Sequence, residues 1–95
     1  MEIIGLSELI ASDLKHADVQ KAVNTWIAVV QFAQWQSLID IKNTYSRSAD
    51  YVNDRTVFNL RGNNYRLIVV IDYELQIVVF EALLTHAEYD RYSFD

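Results

Sequence analysis

The run Val57-Phe58-Asn59-Leu60-Arg61-Gly62-Asn63-Asn64-Tyr65-Arg66-Leu67-Ile68-Val69-Val70-Ile71-Asp72-Tyr73 reads as a β-hairpin. Thr56 to Leu60 alternates in polarity, as a half-buried strand does. Gly62-Asn63-Asn64 supplies residues that tolerate positive φ, which a tight turn needs. Tyr65 to Tyr73 returns as a long strand whose centre, Leu67 to Ile71, is apolar at every position. Such a run is covered on both faces, which places this strand in mid-sheet. Arg66 brings one charge in beside that core. A guanidinium anchored on a rigid strand is a good device for holding phosphate or carboxylate. It is also what an ordinary strand end looks like when its head lies in solvent, and local sequence favours that second reading.

Working outward, Glu74-Leu75-Gln76 makes a second turn, and Ile77-Val78-Val79-Phe80 opens a third strand that runs to Leu84. Thr85-His86-Ala87-Glu88-Tyr89-Asp90 follows. If the chain turns helical there, His86 and Tyr89 share a face. An imidazole titrates near ~6.5 and can donate or accept a proton at cellular pH. A histidine capping a sheet, with Tyr89 packed at the rim, fits the same residues.

On the upstream side, residues 36–55 are polar and punctuated, which predicts a loop with one short helical turn around 37–43. Lys42, Tyr45 and Arg47 offer two cations and an aromatic, a mix that suits RNA phosphates and bases; a solvated connection is the alternative. Before the loop, Asp18 is a good N-cap for a helix over 19–34. Val19, Ala22, Val23, Trp26, Val30 and Ala33 follow the helical period, and Ile27, Val29 and Phe32 widen the stripe. Either part of this helix meets a partner or the core is thick. Trp26 and Trp35 read as structural. A first helix over 8–16 takes Ser7 as its cap, turns Leu6, Leu9, Ile10 and Leu14 inward, and leaves His16 on the surface at its end. Met1 to Gly5 is an edge strand or a helix entry. The expected fold is α+β: two N-terminal helices packed on one face of a small antiparallel sheet of three to four strands.

At 95 residues, 52% of them hydrophobic, the chain is expected to form a single globular domain over 1–95. The absence of Cys excludes disulfides, thiolate catalysis and cysteine-held zinc. With two His and no close pair of them, no metal or other cofactor is expected. There is no Gly-rich phosphate loop and no G-x-S-x-G elbow. No apolar run reaches the ~18 residues of a membrane span. Without a basic-then-apolar leader, a cytoplasmic location with no membrane association is expected.

The net charge of −5 is unevenly spread: residues 1–41 sum to −3, residues 42–66 to +3 and residues 67–95 to −5. Phosphate contacts need clustered Lys and Arg and not a basic total, so the middle zone leaves RNA binding open through Lys42, Arg47 and Arg61.

Several segments coincide with one pattern: Trp26, Ala33-Gln34-Trp35, Tyr45-Ser46-Arg47-Ser48-Ala49-Asp50, the hairpin Val57 to Leu67, and Thr85-His86-Ala87-Glu88-Tyr89-Asp90. Together they resemble the HigB-type toxins of the RelE superfamily, the toxic halves of bacterial type II toxin–antitoxin pairs. The resemblance covers nearly the whole chain. It implies a small sheet with two helices on it, and an mRNA interferase that cleaves translated messages, commonly at the ribosome, without a metal. It also implies a cognate helix-turn-helix antitoxin and a homo- or hetero-oligomer. In this reaction the RNA 2′-hydroxyl attacks the adjacent phosphate and leaves a cyclic phosphate. By resemblance Arg66 stabilises the phosphate, His86 is the general acid or base, Tyr89 assists orientation or proton transfer, and Lys42 adds positive potential. Two positions depart from the family pattern. The chain starts Met1-Glu2 where an arginine-containing strand is usual, and Glu81 stands where the last strand tends to carry an arginine. A carboxylate facing the groove would repel phosphate. The alternative function is a non-catalytic interaction domain that uses the wide stripe of 19–34 and the acidic tail, or a weakened toxin that acts only by binding antitoxin.

Overall fold

The structure, a computed structural model, describes residues 1–13, 16–45, 48–62 and 64–94. The long apolar run becomes β4 (Tyr65–Asp72), the middle strand of a five-stranded sheet. Its neighbours are β3 (Arg55–Leu60) and β5 (Ile77–Thr85), both antiparallel to it. Outside these lie β2 (Ala49–Val52), antiparallel to β3, and β1 (Glu2–Ile4), parallel to β5. The sheet order is β1-β5-β4-β3-β2. The expected α+β layering therefore holds, with five strands instead of three to four, and the sheet is mixed because β1 runs parallel.

Three helices cover one face: α1 (Leu6–Asp13), α2 (Gln20–Phe32) and α3 (Leu38–Tyr45). Their buried side chains Leu9, Val23, Trp26, Val30 and Ile41 meet Phe58, Leu60, Leu67, Val69, Val78 and Leu83 from the sheet. The centre is aromatic. Trp26 sets its ring edge-on to Phe58 at 5.5 Å, Trp35 stacks on Phe58 at 6.1 Å, and Tyr45 meets it edge-on at 5.3 Å.

Several boundaries differ from the sequence expectation. α1 starts at Leu6, so Ser7 lies inside it and is not its cap. Gly5 carries the entry, its carbonyl accepting from Leu9 N–H at 3.0 Å. At Gly5 φ is +88°, and an added Cβ would stand 3.1 Å from the Phe80 Cβ, so a side chain there would be strained twice over. Ile10 is exposed, and Leu14 lies outside the described residues. His16 falls beyond the helix and packs its ring 5.3 Å from Tyr65. Asp18 does not cap α2. It sits in a 3-10 turn over Ala17–Val19, and its carboxylate instead accepts from the Tyr65 hydroxyl at 2.6 Å.

The loop expected over 36–55 contains a two-turn helix and a strand. Ser37 starts α3 through its carbonyl, and Ile41 anchors the helix in the core. β2 and β3 join through Asn53 and Asp54, both at positive φ, which is the two-residue hairpin geometry that matches strand twist. In the central hairpin the left-handed positions are Arg61 and Gly62, and Asn63 lies outside the described residues. β5 carries one extra residue: Ile68 pairs with Ala82 and Val69 with Phe80, so Glu81 has no opposite number.

Candidate RNA-cleavage site

Alternation along the strands sends a second set of side chains to the face without α1–α3. They are Arg55, Val57 and Asn59 from β3, and Arg66, Ile68 and Val70 from β4. Val57 and Ile68 pair across β3 and β4 and are buried, yet neither belongs to the core under the helices. A short helix, α4 (His86–Asp90), and the C-terminal residues after it lie on this side.

α4 starts directly off the end of β5. Thr85, the last strand residue, is also the helix cap: its hydroxyl accepts from Glu88 N–H while the Glu88 carboxylate accepts from Thr85 N–H at 2.8 Å. That backbone bond to Thr85 is the main reason the Glu88 carboxyl titrates below its usual range. The Thr85-x-x-Glu88 spacing is a capping box, readable in the sequence as a helix start. His86 N–H then donates to the Asn64 carbonyl at 2.9 Å, which holds the first helical residue on the extended line of β4.

Arg66 pairs with Leu84, and His86 follows Leu84 by two residues as the first residue of α4. One turn along α4, Tyr89 places its ring 5.5 Å from the Arg66 guanidinium carbon, a cation–π contact. His86 Nδ1 lies 3.3 Å from the Asp90 carboxylate, and both side chains are exposed. Arg66 also donates to the Tyr65 carbonyl at 3.3 Å.

Of the three candidates proposed for the chemistry, Arg66 and Tyr89 are in contact at one end of this face, and His86 opens the short helix that carries Tyr89. The candidate RNA contacts are not part of that group. Lys42 is exposed on α3, over the helix-covered face. Arg61, at the β3–β4 turn, pairs with Asp18 at 3.2 Å. It borders a cleft of about 500 Å³ on the helix side, with Asp18, Lys21, Thr25, Tyr45 and Gly62. Arg47 lies outside the described residues.

Sequence reasoning missed Arg55, Tyr92 and Phe94. Glu81 shares the face with Arg66 but does not present a bare charge. Arg55 Nε donates to it at 2.9 Å and the Tyr92 hydroxyl at 2.6 Å. Burial pushes the Glu81 carboxyl up, and the bonds from Tyr92 and Arg55 outweigh it and bring it below its usual range. The Phe94 ring lies 5.9 Å from the Arg55 guanidinium and 5.1 Å from Tyr92. The repulsion expected from Glu81 is therefore offset at its source. Arg55 sits 26 residues from Glu81 in the chain, and no spacing rule links them. Among the described residues, no group of three or more His, Asp or Glu could hold a metal ion.

A family model described as the HigB toxin, the RelE-like toxic component of a toxin–antitoxin system, matches residues 19–92. The chain belongs to the HigB toxin family. The HigB match takes in β2 to β5, α2 to α4 and each of the candidate site residues, and it ends at Tyr92, the residue that bonds Glu81. A comparison with curated protein sequences found no match. Among the described residues, no helix of this HigB-family chain is long and apolar enough to cross a membrane.

Proposed function

We propose that this HigB-family toxin is an endoribonuclease that cleaves translated messenger RNA, on the ribosome, by attack of a ribose 2′-hydroxyl on the neighbouring phosphate. The observation that carries this reading is the cation–π pair of Arg66 and Tyr89, with His86 opening the same short helix as Tyr89. In the reaction the His86 Nε2 takes the 2′-hydroxyl proton while Asp90 holds the ring through Nδ1. A bond forms from the 2′-oxygen to phosphorus, and the bond to the 5′-oxygen breaks. The products are a cyclic phosphate and a 5′-hydroxyl, whose proton comes from the imidazolium or from water. Arg66 neutralises the charge that builds on the phosphoryl oxygens, with Tyr89 fixing its plane. No metal is required for these steps.

A positioned acid–base residue contributes about 10²–10⁴-fold in rate. His86→Ala and Arg66→Ala should each relieve growth arrest on induction and abolish new 5′ ends on cellular mRNA, and Tyr89→Phe should weaken both. Full toxicity in all three folded variants would overturn the site. A competing reading, a chain that binds antitoxin without cutting RNA, draws on Glu81 in the place of an arginine. It requires that induction of the wild-type chain leave mRNA intact.

A further inference from the structure

The open sheet face has a second end, away from α4. Side chains of neighbouring strands line up there in rows. One row runs Val70, Val79, Ile4, because Val70 pairs with Val79 and Ile4 also pairs with Val79. Their chain neighbours Ile71, Val78 and Ile3 turn the other way, into or against the helix-covered core. Val70, Val79 and Ile4 themselves remain 39%, 37% and 45% exposed. Three aliphatic side chains thus form a strip across three strands on the solvent side of the sheet. The next row is Asp72, Ile77, Glu2, with both acids exposed. Glu74 and Leu75 extend this border into the β4–β5 turn, where both are exposed. On the strip's other flank Arg55 is held by Glu81, so its charge is already answered.

We propose that this strip seats one amphipathic helix of the antitoxin, apolar on the side that meets Val70, Val79 and Ile4, and bearing Lys or Arg where it passes Glu2 and Asp72. The proposal rests on the toxin–antitoxin reading and adds the surface and the chemistry of the partner. Strand spacing is about 4.8 Å, so the strip is about 10 Å long. A helix rises about 1.5 Å per residue, so anchors at i, i+4 and i+7 cover the same distance. Charge selects the occupant. A second copy of this chain would set one acidic border against another, and residues 67–95 sum to −5. A basic helix meets that border with opposite charge, which favours both encounter and register.

The test uses the full chain and the helix-turn-helix protein encoded beside it, with affinity measured by calorimetry. Ile4→Lys and Val79→Lys should each weaken binding by about tenfold or more, the loss expected when one partly buried aliphatic anchor is replaced by a charge. Asp72→Lys should weaken binding and flatten its salt dependence. Phe32→Ser, at an apolar residue 89% exposed on α2, which covers the other face of the sheet, should leave affinity unchanged. Ile4 and Asp72 are exposed, so circular dichroism of these two variants should match the wild type even if Val79→Lys unfolds. Undiminished affinity in folded Ile4→Lys and Asp72→Lys would overturn the docking surface alone. So would loss of affinity in Phe32→Ser, or a wild-type dimer that Ile4→Lys dissociates. Failure of the wild-type chain to bind the neighbouring protein at all would overturn the surface together with the reading beneath it.

Discussion

The two faces of the sheet are built from the same strands by opposite means. Under α1–α3 the contacts are apolar and aromatic, with Phe58 touched by Trp26, Trp35 and Tyr45. On the other face, among the described residues, only Val57 and Ile68 are fully buried, and directed polar bonds do much of the closing: Arg55 to Glu81, Tyr92 to Glu81, Thr85 with Glu88. Apolar burial is non-directional and supplies most of a fold's stability. Polar contacts supply less, but they aim side chains. The alternation of a β-strand keeps the two jobs apart, so the candidate chemistry sits where its loss need not unfold the chain.

That division can be broken from either side. The largest effect should come from Trp26→Ala, which removes the biggest buried side chain and costs about 3–5 kcal/mol, a large share of a small domain's stability. Urea unfolding should show it, and Trp26→Phe should cost less, since it also deletes a buried Nε1–H that has no acceptor. Next comes His86→Ala. It should lower RNA cleavage by about 10²–10⁴-fold while moving the unfolding midpoint little, because the His86 side chain is exposed and its bond to Asp90 is long. A midpoint shift as large as that of Trp26→Ala would erase the contrast. Tyr92→Phe should destabilise by about 1 kcal/mol, the loss of one partly exposed hydrogen bond to a carboxylate, and hydrogen exchange should rise in α4 before it rises in β3 or β4.

The smallest expected effect is a pH dependence. The folded Glu81 carboxyl lies below its ordinary 4.5, so its contribution is present above that value and is lost as pH falls through the lower folded one. Stability curves should therefore decline with acid in this window, and Glu81→Gln should flatten the decline. Asp18 and Glu88 are lowered in the same direction, Asp18 chiefly by the Tyr65 hydroxyl and Glu88 by the Thr85 backbone, so some slope should remain.

The sequence was legible where hydrophobic pattern and structure coincide. Leu67 to Ile71 is apolar at every position and is indeed the middle strand, covered on both sides at Leu67 to Val69, while Val70 emerges on the open face. Val23, Trp26 and Val30 marked the buried line of α2, and Phe32, read as part of its stripe, is the exposed end. β2 escaped notice because Ala49-Asp50-Tyr51-Val52 is a short edge strand with a charge in it, and edge strands need little apolar content. α3 runs longer than the short turn expected around 37–43, since only Leu38, Ile39 and Ile41 in it are aliphatic and no Gly or Pro flanks it to mark its limits. At the candidate site, Arg66, His86 and Tyr89 were visible as residue types, and the resemblance supplied their roles. The ion pair of Arg55 with Glu81 was not visible, since it depends on which strands lie side by side. The same limit explains Asp18, which the sequence offers as a cap for its own helix and whose carboxylate in fact reaches Tyr65, 47 residues away.

The unmatched residue at Glu81 also acts as a phase shifter. Upstream of it Val78 and Phe80 turn toward the helices; downstream Leu83 does so, an odd step that plain alternation forbids. Excising Glu81 would set Phe80 and Leu83 two positions apart, so plain alternation would keep Leu83 inward and α4 on its present side; what the extra residue adds is a second outward side chain beside Ala82, the carboxylate that gathers Arg55 and Tyr92.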